Sequence, residues 1–387
     1  MNIMRRCELR GAVGIAVTLL LGVAGGGAAE FMRQEGYSIC PPAMYIFGDS
    51  YSDTGNGVLT GNPLITIPAE PPYGETVPGF PFDRFSDGLL IVDFLAIFFK
   101  LSFINPYLDR SADFRTGVDY AVSTSTALDT LYLNSIGIPT LSNFSLDTQL
   151  GWHLDFLRTS VYPNIQSRIS YSHALIVIEI GGDDYLDAIL ASNYSVPYVQ
   201  ANLVPLVIAK IKNATEVLYA SGAKNFLIMT LTPFGCFSIV LAYFPSGSKD
   251  KNGCLTSLNN LSLEHRRRLL QLIYELRATH KDARFVFFDF YAAYEEIISN
   301  SKAFGFRDTL DACCGAGPAF AYRYNMQLFC GPSSSVASMT LCPDPNVFLK
   351  WDGIHNTHRF NLLLSDTIRT GRNIDPPNAF AGCALHS

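Results

Sequence analysis

Two short segments of this chain carry residue types that act together in nucleophilic catalysis. The first is Gly48-Asp49-Ser50-Tyr51-Ser52-Asp53-Thr54-Gly55-Asn56. The run before it, residues 43–47, is short and apolar, as a buried strand is. A serine on the tight turn leaving a strand is where an α/β fold exposes a nucleophile. The second is Trp351-Asp352-Gly353-Ile354-His355, near the C-terminus. It offers an imidazole and a carboxylate three residues apart. A serine nucleophile, a histidine base and an acid that orients the base are the parts of acyl transfer through a covalent intermediate.

Those parts need a frame. Four short runs, residues 43–47, 174–180, 226–231 and 285–288, are rich in Ile, Val, Phe or Leu and lack alternation. Strands buried on both faces read this way. Between them lie helical patterns. Residues 199–220 repeat apolar positions at three- and four-residue steps and Gly222 closes them; residues 261–278 do likewise, with Arg266, Arg267 and Arg268 on the wet side. Strands alternating with helices predict an α/β fold, a mainly parallel sheet with helices on both faces in three layers. Ligands bind such sheets beyond the carboxyl ends of the strands. Ser50 follows the first run and Asp183 the second. Residues 61–82 and 303–350 hold much of the Pro, Gly and Cys and read as long loops.

The N-terminus reads as an address. Arg5, Arg6 and Arg10 surround the start of a short apolar stretch, and Gly27-Ala28-Ala29 offers a cleavage site. Residues 1–29 are therefore expected to be a secretory signal peptide, leaving one domain over residues 30–387. Arg5, Arg6, Arg10 and Glu8 leave with it, which moves the formal charge from −6 to −8. An acidic chain without a basic block argues against nucleic acid and against anionic membranes. No later window has the length of a membrane span. Eight cysteines remain after Cys7 departs, an even number that suggests disulfides in a secreted chain. Their spacing leaves the pairing open and contains no Cys-x-x-Cys zinc signature. Sequons at Asn143, Asn193, Asn213 and Asn260 are candidate glycan sites. No metal-ligand cluster or phosphate loop stands out, so no cofactor is expected, and the chain is expected to be a monomer.

More blocks accompany the two segments: Pro72-Tyr73-Gly74-Glu75-Thr76, Arg84-Phe85-Ser86-Asp87-Gly88, Asn105-Pro106-Tyr107-Leu108, Pro233-Phe234-Gly235-Cys236 and Cys313-Cys314-Gly315. With them the chain resembles the plant secreted GDSL esterase/lipases of the SGNH-hydrolase superfamily, over nearly its whole length after residue 29. Within that family it is most similar to the branch that contains sinapine esterase and acetylajmalan esterase. The resemblance implies a flavodoxin-like three-layer fold, Ser50 as nucleophile, His355 as base and Asp352 as its orienting acid. It also implies a small-molecule ester as substrate, drawn from specialised metabolism.

Two positions depart from the family pattern. The third block usually reads Gly-x-Asn-Asp; here it is Gly181-Gly182-Asp183-Asp184-Tyr185. In the second block, Gly117-Val118-Asp119-Tyr120-Ala121-Val122-Ser123-Thr124-Ser125-Thr126-Ala127-Leu128, Thr124 stands where the branch has glycine. Both are oxyanion-hole positions in the family. An amide donates a hydrogen bond, whereas an ionised carboxylate only accepts. A lost oxyanion donor costs about 10²–10³ in rate. An ionised Asp183 about 4 Å from the oxyanion would add about 4 kcal/mol of repulsion at an effective dielectric near 20. One escape is a carboxyl that keeps its proton in a poorly hydrated pocket and donates, as in ketosteroid isomerase, with Asp184 as a neighbour able to share that proton. Three readings follow. The chain is an ester hydrolase or acyltransferase with an altered oxyanion hole; or its scaffold is repurposed for acid/base chemistry, elimination or cyclisation, on an alkaloid-like metabolite; or it is a non-catalytic binding protein.

Overall fold

A computed structural model describes residues 38–383, save 64, 80–82, 329 and 332–338. The expected signal peptide, residues 1–29, lies outside the described residues. Ten strands are present among the described residues: β1 (Met44–Gly48), β2 (Gly117–Asp119), β3 (Leu175–Glu179), β4 (Asn225–Met229), β5 (Arg284–Phe288), β6 (Asp308–Ala312), β7 (Cys314–Gly315), β8 (Thr340–Leu341), β9 (Phe348–Lys350) and β10 (Ile374–Asp375). Six form the main sheet in the order β10-β5-β4-β3-β1-β2. Every pairing in it is parallel except that of the edge strand β10 with β5.

The core strands are the four apolar runs, and their side chains alternate between two cores, as the pleat requires. Tyr45, Phe47, Ile176, Ile178, Phe226, Ile228, Phe285 and Phe287 pack on one face. There they meet Val199, Leu203, Val207 and Ile211 of the helix Val196–Ala220, and Leu269, Leu272, Ile273 and Leu276 of the helix Thr256–Thr279. Met44, Ile46, Leu175, Val177, Leu227, Met229, Val286 and Phe288 face the other way. Their partners come from the helices Ile91–Phe98, Phe290–Ser299 and His358–Arg369. Three layers result, a single α/β architecture in which strand order runs 2-1-3-4-5 as in flavodoxin-like folds. The chain winds to opposite sides on leaving β1 and β3, so the crevice between their carboxyl ends is the expected ligand site.

Residues 303–350 are less irregular than their composition suggests. β6 pairs with β9, and β7 with β8. Disulfides Cys313–Cys342 and Cys314–Cys330 tie this segment, Cys236–Cys254 ties the turn after β4, and Cys40–Cys383 joins the two ends of the described chain. All eight cysteines that follow residue 29 are thus paired. Among the described residues no helix is long and apolar enough to cross a membrane.

Candidate active site

The turn after β1 presents Ser50. Asp49 closes it: its carbonyl accepts from the backbone N–H groups of Ser52 and Asp53, and its Oδ1 from that of Tyr51 at 3.1 Å. Gln149 clamps the preceding residue, accepting from the Gly48 N–H at 3.0 Å and donating to the Gly48 carbonyl at 2.7 Å. A Cβ on Gly48 would sit 2.6 Å from the Glu179 carbonyl oxygen, so only glycine lets β1 and β3 approach so closely here.

The loop after β9 brings the other two groups. Asp352 Oδ1 accepts from the backbone N–H groups of Ile354 (2.8 Å) and His355 (2.7 Å), which folds the loop over its own carboxylate. The Trp351 N–H donates to the His355 carbonyl at 2.9 Å and completes the turn. Oδ2 of Asp352 then meets His355 Nδ1 at 2.7 Å, and His355 Nε2 meets Ser50 Oγ at 2.7 Å. The three residues are 7–8% exposed. Burial pushes Asp352 up, but the imidazole beside it and three hydrogen bonds outweigh that and hold it at about 2. The carboxylate therefore stays ionised behind the histidine. The Phe85 ring lies against the imidazole, 4.6 Å between centroids, and restricts its rotation.

A small cleft opens at Ser50. Its lining combines the acidic Asp49, Glu179 and Asp183 with the apolar Leu186, Leu231, Phe234, Phe237 and Ile354. No Lys or Arg lines it among the described residues. Asp49 and Glu179 hydrogen-bond to each other. Burial raises both, Asp49 to about 6 and Glu179 well above the ordinary range, so Glu179 holds the proton of the pair. Asp183, in the short helix Gly182–Leu186, has no hydrogen-bond donor among the described residues. Burial first, then the charges of Asp49, Asp187 and Asp184, push its pKa well above that of an ordinary carboxylate.

Asp184 does not face Asp183 to share that proton. Its Oδ2 and Oδ1 accept from the backbone N–H groups of Ala127 (2.7 Å) and Leu128 (2.9 Å). It anchors the loop that carries Thr124, while Asp53 holds the same loop through the N–H and hydroxyl of Ser123 at 2.7 and 2.8 Å. Thr124 itself is not among the residues lining the cleft. Its φ of 64° is the left-handed conformation that suits glycine, and its hydroxyl is buried without a partner. The turn thus keeps a glycine-like path despite the β-branched side chain. The four sequon asparagines, Asn143, Asn193, Asn213 and Asn260, are all exposed.

Sequence reasoning passed over Glu179 and Lys350. The signal was available: each is a lone charge inside or beside an apolar strand, and such charges stay buried only with partners.

Comparison with known proteins identifies the family. The family model described as GDSL-like lipase/acylhydrolase matches residues 44–368. Acetylajmalan esterase 2 of Rauvolfia serpentina is 35% identical, with 86% of this chain and 92% of the relative aligned. An esterase of Hevea brasiliensis is 33% identical over 87% of each chain. A GDSL esterase/lipase of Arabidopsis thaliana is 35% identical, covering 86% of this chain and 84% of its own.

Proposed function

The chain belongs to the GDSL-like lipase/acylhydrolase family and is a carboxylic ester hydrolase; from that premise we propose that it cleaves esters of small specialised metabolites by a Ser50–His355–Asp352 mechanism with an altered oxyanion hole. The observation that carries the mechanism is the unbroken contact chain from Ser50 Oγ through His355 to Asp352, 2.7 Å at each step. Ser50 attacks the acyl carbon and its proton passes to His355 Nε2. Asp352 holds the ring by Nδ1 and stabilises the imidazolium. The tetrahedral intermediate collapses, His355 returns the proton to the leaving alkoxide, and an acyl ester remains on Ser50. Water, or an alcohol in acyl transfer, then repeats the sequence in reverse.

Asp183 acts in this reading as a neutral carboxylic acid that donates to the developing oxyanion, together with the backbone N–H of Ser50. Its support is a carboxyl with no cation and no donor beside it, in a wall that already carries Asp49 and Glu179. Secretion after loss of residues 1–29, glycans on the four exposed asparagines and a monomeric state complete the proposal. The four disulfides are in keeping with an oxidising compartment.

The unpartnered Asp183 also favours a second reading, in which it exchanges protons with a bound metabolite and no acyl-enzyme forms. One experiment separates the two. Wild type and Ser50→Ala are offered small aryl esters and a fluorophosphonate probe. Turnover and labelling that vanish in Ser50→Ala support the hydrolase; turnover that survives the substitution overturns it.

A further inference from the structure

Lys350 ends β9 and is completely buried. A lysine is rarely enclosed unless its charge is answered. Its Nζ donates to the Ile354 carbonyl at 3.1 Å and to Asn356 Oδ1 at 3.3 Å. These two residues flank His355 in the chain. The ring of Phe237 lies 4.3 Å from Nζ and that of Tyr294 4.9 Å, on two faces that attract a cation most when water is excluded. Phe237 and Ile354 also line the cleft. The Ile354 carbonyl is gripped a second time, by the hydroxyl of Tyr51 at 2.9 Å, and Tyr51 adjoins Ser50. One buried ammonium therefore touches both the loop that carries the base and the back of the cleft wall.

We propose that Lys350 is a positioning residue for the triad: its ammonium clamps the Ile354 carbonyl and the Asn356 side chain on either side of His355, holding the imidazole against Ser50, while its charge offsets that of Asp352. The proposal rests on the serine-hydrolase reading above. The ionisable groups that face Lys350 are few. Tyr294 comes from the helix Phe290–Ser299 and Tyr51 from the turn after β1, and burial raises both, so they stay neutral. Asp352 and His355 come from its own loop. β6, which pairs with Lys350 through Ala312, brings Asp311 as the preceding residue. Burial lowers Lys350 itself to about 7, opposed by the attraction of Asp352; the two carbonyl oxygens and two ring faces favour the charged form further.

The test uses Lys350→Met, which removes donor and charge, and Lys350→Gln, which keeps a donor without charge. Both are assayed on a small aryl ester across a wide pH range, beside thermal midpoints. The Met variant is expected to lose about tenfold or more in kcat with little change in KM, because a misplaced base costs rate rather than binding. The Gln variant is expected to recover most of that loss. Both are expected to move the acidic limb of kcat/KM upward by about one pH unit, since removing a nearby positive charge favours the imidazolium. A filler role would leave that limb in place. Folded variants with wild-type kcat and an unmoved limb overturn the proposal. If neither variant folds, the wild-type enzyme with 13C at its lysine ε-carbons decides. A ring-shifted lysine signal that moves when Ser50 is labelled by a fluorophosphonate supports the clamp, and one that does not move overturns it. Loss of turnover in Ser50→Ala is checked alongside, so a failed hydrolase reading is told apart from a failed clamp.

Discussion

The hydroxyl of Tyr73 donates to Asp352 Oδ2 across 3.0 Å, and that oxygen is the one His355 Nδ1 meets at 2.7 Å. With Oδ1 taken by two backbone N–H groups, the carboxylate has little freedom left to turn. Tyr73 is itself fixed, edge-on to Trp351 and to Phe85, and Phe85 lies on the imidazole. Tyr73→Phe keeps the packing and deletes only the donor. We expect kcat to fall by about threefold to tenfold at constant KM, with about 1.5–3 kcal/mol lost from stability, the range for a hydrogen bond to a charged group. Steady-state kinetics and denaturant unfolding measure the two effects. An unchanged kcat would show that the backbone donors alone orient Asp352.

Asp183→Asn tests the altered oxyanion hole through its pH dependence. A neutral acid donates; the ionised form only accepts and repels the oxyanion. Since the folded pKa lies well above the ordinary range, the donor form exists below that raised value and is lost as pH climbs through it. Wild-type kcat is therefore expected to decline on the alkaline side, while Asp183→Asn, a donor at every pH, loses that decline. At alkaline pH the variant should exceed wild type by about 10²-fold, the worth of one oxyanion donor. A variant inactive at all pH values would instead assign Asp183 a task that an amide cannot perform.

How far the sequence carries depends on the range of the interaction. β1, β3, β4 and β5 are legible because burial on both faces leaves continuous apolar runs. β2 and the edge strand β10 are not, since three and two residues are too few for any periodicity. Asp352 and His355 are legible as a pair because three residues of spacing let one loop bring them together. Tyr73 is invisible as their partner: 279 residues separate it from Asp352, and only the folded chain joins them. The same holds for Glu179 with Asp49, for Lys350 with Phe237, and for the cysteine pairing. Asp184 shows the opposite failure. Adjacency to Asp183 suggested a shared proton, but successive side chains on a helix diverge, and its carboxylate serves the Thr124 loop instead.

Thr124 holds a strained conformation that can be relieved. A β-branched residue at a φ of 64° costs on the order of 1–2 kcal/mol, and its hydroxyl is buried unpaired. Thr124→Gly removes both penalties, against the greater entropy that glycine loses on folding. Stability is expected to rise by about 1 kcal/mol, read as a higher denaturant midpoint at unchanged slope. A lower midpoint would mean that the threonine methyl makes packing contacts worth more than the strain.

The acidic groups in and behind the cleft set how stability responds to pH. Burial raises Asp184 and Asp187 each to about 7 and Asp49 to about 6, with Asp183 and Glu179 raised further. Each of these binds its proton more tightly folded than unfolded. The folded state thus holds more protons between the unfolded value near 4 and the raised ones, and stability falls as pH rises through that window. Asp352 works the other way, held at about 2, and its contribution fades only in strong acid. The thermal midpoint is therefore expected to be higher near pH 5 than near pH 8. Asp187 isolates one share of the effect, because it lies outside the cleft lining and its Oδ2 is buried without a partner. Asp187→Asn cannot ionise, so it should raise the midpoint near pH 8 by about 2–4 °C for each kcal/mol recovered and raise it distinctly less near pH 5. Equal midpoint shifts at the two pH values would show that packing at this position, rather than its charge, sets the difference.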